Sequence, residues 1–91
     1  LMVQYEITVT GRVQGVGYRY FVQKRANEFD IKGWVKNTSD GGVLVMAQGE
    51  EKDAETFMDY LRTGPSLARV KQLVKNKMPD LKNFTDFRIR Y

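Results

Sequence analysis

Twice in this chain a run that alternates apolar and polar residues gives way to a run in which apolar residues recur every three or four positions, and each time another alternating run follows. Period two belongs to a strand with one buried face, and a spacing near 3.6 belongs to a helix lying on that face. A strand, a helix and a returning strand form a crossover of fixed hand. Two such units in series leave few folds open.

In the first unit Val3, Tyr5, Ile7 and Val9 alternate with Gln4, Glu6, Thr8 and Thr10, which predicts a strand over 3–10 with one polar face. Tyr18, Phe21, Val22, Ala26 and Phe29 then share one side of a helix over 19–29. Residues 31–37 read as a second strand and 42–48 as a third, paired as a hairpin by the turn signal of Asp40 and Gly41. Glu50, Glu51 and Asp53 stand where a second helix starts. Ala54, Phe57, Met58 and Leu61 give it an apolar stripe, and Gly64-Pro65 ends it. Over 68–77 the alternation is broken at Val70, Leu73 and Val74, which admits a short helix capped by Ser66; a bulged strand is preferred, because the second unit needs a partner strand. Residues 78–83, with Pro79, form a connecting loop, and 85–91 close the chain as a strand with Phe87, Ile89 and Tyr91 on one side.

The order is βαββαβ plus a short last strand. It predicts an α+β, ferredoxin-like split βαβ sandwich, with two helices on one face of an antiparallel-type sheet. Ninety-one residues suit a single domain over 1–91. Leu1, ahead of Met2, is set aside from this reading.

The first junction is the richest stretch. Gly11-Arg12-Val13-Gln14-Gly15-Val16-Gly17-Tyr18-Arg19 joins strand to helix with three glycines. Glycine tolerates positive φ, so several N–H groups can converge just ahead of a helix N-terminus, where unpaired amides and the helix dipole favour an anion. Arg19 adds a planar donor fork that suits phosphate. A plain tight turn with Arg19 on a solvated face explains the glycines equally well.

Composition narrows the chemistry. The chain has no cysteine and no histidine, so thiol nucleophiles, phosphohistidine intermediates, histidine acid–base pairs, disulfides and the usual zinc sets are excluded. A net charge of +4 favours anionic partners. No apolar run approaches a membrane span and no signal peptide is visible, so a cytoplasmic location without membrane contact is expected. Because a helix crossover makes the first two strands parallel, their C-terminal ends share one sheet edge. That places Asn37 beside the glycine loop, although an asparagine there also serves to open a turn.

The junction resembles the first signature of the acylphosphatase family: Val9, Gly11, Val13 to Val16, then an aromatic and Arg19, with Tyr18 where the family usually has phenylalanine. We expect the Tyr18 ring to pack the same way, with its hydroxyl at the rim. Gly33-Trp34-Val35-Lys36-Asn37, Gly41, Val43 and Gly49 resemble the second signature, and residues 87–91 are similar to the family's C-terminal strand. The resemblance implies hydrolysis of acyl phosphates to carboxylate and phosphate, without metal, cofactor or covalent intermediate. It implies that Arg19 and Asn37 are catalytic, Arg19 on the phosphoryl oxygens and Asn37 on the attacking water. It also implies that Gln14, Gly15, Val16, Gly17, Tyr18 and Arg19 bind the phosphate. The implied partner is a small acyl phosphate and the expected state is monomeric, with no nucleic acid bound.

The alternative weighed is an RNA-binding module of RRM-like architecture, which shares the split βαβ order. Such modules stack bases on aromatic residues of the central strands, and residues 43–48 contain none.

Overall fold

The computed structural model describes residues 1–91. Its elements are β1 (Met2–Arg12), α1 (Tyr18–Glu28), β2 (Lys32–Asn37), β3 (Val43–Glu50), α2 (Glu51–Thr63), β4 (Arg69–Lys77) and β5 (Phe87–Arg90). The strands form one sheet in the order β4-β1-β3-β2-β5. Both helices lie on the face to which Val3, Tyr5, Ile7, Val9, Val35, Val43 and Val45 point. There Val22 and Ala26 of α1, and Ala54, Phe57, Met58 and Leu61 of α2, complete a fully buried core. Phe57 meets Phe87 of β5 edge-on at 6.2 Å between ring centroids. Truncating a ring in such a place costs about 3–5 kcal/mol.

The expected ferredoxin-like arrangement is present, with one correction to the sheet. β1 pairs antiparallel with β3 and β4, and β2 pairs antiparallel with β3, but β5 pairs with β2 in parallel, Trp34 beside Arg88 and Lys36 beside Arg90. The cause is the route of the chain. β4 ends at the edge of the sheet away from the glycine loop. Residues 78–86 cross below every other strand, and β5 then rises in the direction of β2.

The broken alternation of β4 resolves as a bulge. Thr10 faces Gln72 and Gly11 faces Val70, so Lys71 is the extra residue. That insertion lets Val70 and Leu73, three apart, both pack against the core. Gly11 takes φ 123°, and a Cβ there would run into the Arg69 carbonyl. Only glycine lets β4 approach the base of the loop.

The helix-free face is less open than the alternation implies. Gln4, expected on a polar face, and its neighbour Gln48 are buried under residues 78–83. Gln4 Oε1 accepts the Lys82 N–H at 2.9 Å, Gln48 Nε2 donates to the Lys82 carbonyl, and the Gln4 carbonyl accepts the Met78 N–H at 2.8 Å. A buried polar residue is stabilised in such a place by the hydrogen bonds it makes there. The connecting loop is therefore a strap. The one aromatic residue that the strands carry on this face, Trp34, lies beneath Arg90 at 4.6 Å and beside Lys36 at 5.6 Å. Leu1 also has a role, since its carbonyl accepts the Glu51 N–H at the start of α2 at 3.0 Å. No helix is long and apolar enough to cross a membrane.

Candidate active site

β1, β2 and β5 all end at the same edge of the sheet, and the loop after β1 folds over that edge. Gly15 and Gly17 adopt left-handed φ of 72° and 79°, on either side of buried Val16. Gly17 is the N-cap of α1; no side chain caps the helix and no acidic residue stands in its first turn. The amides from Gln14 to Tyr20 donate to no carbonyl of the protein. Successive amides in this alternating geometry form a concave donor set for an anion.

Arg19, in the first turn of α1, is half-buried and held at two points. Its Nη1 donates to the Arg90 carbonyl at 3.0 Å, and its guanidinium lies 4.7 Å from the centre of the Tyr91 ring. Its remaining N–H groups have no acceptor within the protein. Asn37 ends β2 on the helix side of the sheet. Its Oδ1 is buried and has no hydrogen-bond partner, a costly condition that a hydrogen-bonding ligand or water would relieve. Arg19 and Asn37 open onto one cavity of about 200 Å³, with Gly15, Gly17, Tyr20, Ile89 and Tyr91 around it. No Asp or Glu lines it.

A larger cavity of about 360 Å³ lies between α1 and α2. Its cation, Arg25, is already bonded to Glu28 at 2.8 Å and stacked on Tyr60 at 4.0 Å, and it has neither the unbonded amides nor the buried orphan acceptor of the smaller one.

The acylphosphatase sequence profile matches residues 5–89. The chain belongs to the acylphosphatase family. It is 44% identical over 91 residues to an acylphosphatase of Clostridium acetobutylicum, with both chains covered in full. The crystal structure of the acylphosphatase from Bacillus subtilis superposes with a TM-score of 0.95 at 39% identity, covering 98% of this chain and 99% of that one. The chain also resembles part of T. kodakarensis HypF, at 36% identity and a TM-score of 0.85, covering 98% of this chain and 12% of that one. The RNA-binding alternative finds no support in these relatives.

Within the family frame, several expected residues lie at the cavity and two side chains point elsewhere. The loop residues Gly15, Gly17, Tyr18 and Arg19 meet Asn37 at the cavity. Gln14 turns its side chain away: Nε2 donates to the carbonyls of Thr38 and Gly42, both at 2.8 Å. Only its main chain is free to meet a phosphate. The Tyr18 hydroxyl is not at the rim. It is buried and donates to the Leu61 carbonyl at 2.7 Å in the last turn of α2, because that carbonyl lacks a helical partner and Gly64 leaves room for the ring. Burial pushes the Tyr18 phenol well above its ordinary pKa.

Asn37 does not open the turn that follows it. That turn is built by Thr38 and Asp40, whose side chains both accept the Gly42 N–H; the Thr38 hydroxyl also donates to Asp40 Oδ1, and this bond first, with the Gly42 N–H second, holds the Asp40 carboxyl below the usual range. Lys36 points to the other face and covers Trp34. The basic run of β4 is largely paired surface, with Lys75 on Glu55 at 3.0 Å and Lys77 on Glu51 at 3.5 Å. Sequence reasoning missed the Arg90 carbonyl, Tyr20 and Tyr91. Nothing local marks Arg90 or Tyr91, since their place depends on β5 lying beside β2, whereas Tyr20 follows Arg19 in the first turn of α1.

Proposed function

We propose that acyl phosphate hydrolysis, the reaction of the family, is carried out here by the loop amides and Arg19 on the phosphoryl group and by Asn37 on the attacking water. The observation that carries the reading is that Arg19 and the orphan Oδ1 of Asn37 face one cavity beside a row of unbonded amides. The amides of residues 15–19 and the free N–H groups of Arg19 bind the equatorial oxygens, where charge is stabilised during phosphoryl transfer. Asn37 Oδ1 accepts one hydrogen of a water and aims its lone pair at phosphorus.

The water oxygen bonds to phosphorus as the acyl C–O–P bridge breaks on the phosphorus side, and the acyl oxygen leaves with the electron pair as a carboxylate. A leaving group with a conjugate-acid pKa of about 4 departs without a protein acid. With no Asp, Glu or His side chain at the cavity, the water's protons pass to phosphoryl oxygens. No step calls for a metal. Every group named here comes from a single copy of the chain, which fits a monomer acting on a small acyl phosphate.

The test is turnover of benzoyl phosphate in the presence of a chelator. Arg19→Ala and Asn37→Ala should each lose at least about a hundredfold in kcat/KM, the scale of one oriented donor or water ligand, with the fold intact by circular dichroism. Near-normal turnover in either folded variant would reject the role assigned to it.

A further inference from the structure

Asn37 has no protein contact that holds its Oδ1, so the direction in which it presents a water depends on the backbone beneath it. On one side that backbone is fixed by the β2–β3 ladder, in which Asn37 faces Val43. On the other side comes Thr38, the first residue of the turn, and its carbonyl is held by Gln14. The same Gln14 nitrogen holds the Gly42 carbonyl at the far end of the turn. The orientation of the Gln14 amide is unambiguous, because only the NH2 end can satisfy two carbonyls. Both of its protons are spent, and the remaining oxygen would repel a phosphate.

We infer that Gln14 is a positioning residue for the water site: its side chain staples the phosphate loop to the turn after Asn37 and so sets the distance and angle between the bound phosphoryl group and the water. This rests on the functional reading above. One residue thereby couples two elements that are 24 and 28 positions apart in sequence. The loop keeps its amides and Arg19 without the staple, so phosphate binding survives its loss. Alignment of the water, and with it kcat, does not.

The experiment measures kcat and KM for benzoyl phosphate, and Ki for inorganic phosphate, in Gln14→Leu, Asn37→Ala and the double variant, each checked for folding by near-UV circular dichroism. Gln14→Leu should lower kcat about tenfold or more, the order expected when an attacking group loses its alignment, while Ki for phosphate stays within about threefold. In the Asn37→Ala background it should lower kcat less than about twofold, because no oriented water remains to misplace. Gln14→Glu gives a second reading, needed if the leucine variant does not fold. Its carboxylate faces two carbonyls, so kcat relative to wild type should fall as pH rises through its ionisation and recover as it is protonated and can donate again.

A Ki that rises as much as kcat falls would make Gln14 a phosphate ligand and overturn the inference. So would an equal loss with and without Asn37, an unchanged kcat in Gln14→Leu, or a Gln14→Glu ratio that ignores pH. If Asn37→Ala itself turns over normally, the water-site reading fails first, which separates the two.

Discussion

The two helices of this protein begin in opposite ways. α2 starts with Glu51 and Asp53 in its first turn, and its first amide is taken by the Leu1 carbonyl. At its other end Arg62 stands in the last turn, Gly64 N–H returns to the Tyr60 carbonyl at 2.9 Å, and Tyr18 donates to Leu61. Neither helix has a side-chain cap, but α1 starts with a left-handed glycine, no acid and an arginine as its second residue. Glycine at that position costs only a few tenths of a kcal/mol relative to a capping side chain. A helix that exists only to pack the core has its positive end neutralised by its own chain, whereas α1 lacks those groups and keeps its first amides unbonded, as the proposed anion site requires.

That contrast can be broken at three levels. The largest effect should come from giving α1 what α2 has: Tyr20→Asp puts a carboxylate in the bare first turn, beside Arg19, and should weaken inhibition by inorganic phosphate about tenfold, or ~1.4 kcal/mol of lost anion affinity. A Ki equal to wild type would mean that this helix end does not hold the anion.

Next is the tie between the start of α1 and the end of α2. Tyr18→Phe leaves the Leu61 carbonyl without a donor and should cost about 1–2 kcal/mol in urea denaturation, with turnover within about twofold of wild type. The pH dependence sharpens the point. Burial raises the Tyr18 phenol above its ordinary 10.0 in the folded protein, so the unfolded chain releases that proton first. The stability is therefore present below about pH 10 and is lost as pH rises further, by up to ~1.4 kcal/mol per pH unit. Tyr18→Phe should lack this part of the alkaline decline, and identical slopes would show that the phenol ionises in place.

The smallest effect belongs to α2. Glu51→Gln with Asp53→Asn should cost about 0.3–1 kcal/mol per charge at low salt, less as salt screens them, and leave kcat/KM unchanged. A loss of turnover would show that the α2 terminus takes part in the site after all.

Much of this was legible beforehand because it is written in local periodicity. The alternation of Val3 to Val9 and the stripe of Ala54, Phe57, Met58 and Leu61 each point to a buried face whatever lies against it, and boundaries shifted by only a few residues. Gly15, Gly17 and Arg19 could be read as an anion site from their spacing, and Asn37 from the direction of a crossover. Gln4 was misread as surface because alternation says which face a residue takes, and nothing about a strap that later crosses that face. The Tyr18 hydroxyl was placed at the rim because its acceptor, Leu61, lies 43 positions away.

By itself, then, the sequence determined the elements, their order, the edge at which β1 and β2 both end, and the glycine-shaped loop proposed above to hold the anion, since each follows from steric limits and periodicities within about a dozen residues. Only the tertiary structure decided that β5 runs parallel to β2 and brings the Arg90 carbonyl and Tyr91 to Arg19, that Gln14 grips the turn after Asn37, and that Tyr18 closes the end of α2. Those are hydrogen bonds and stacks between groups far apart in the chain, and their geometry exists only once the sheet has set the distances between them.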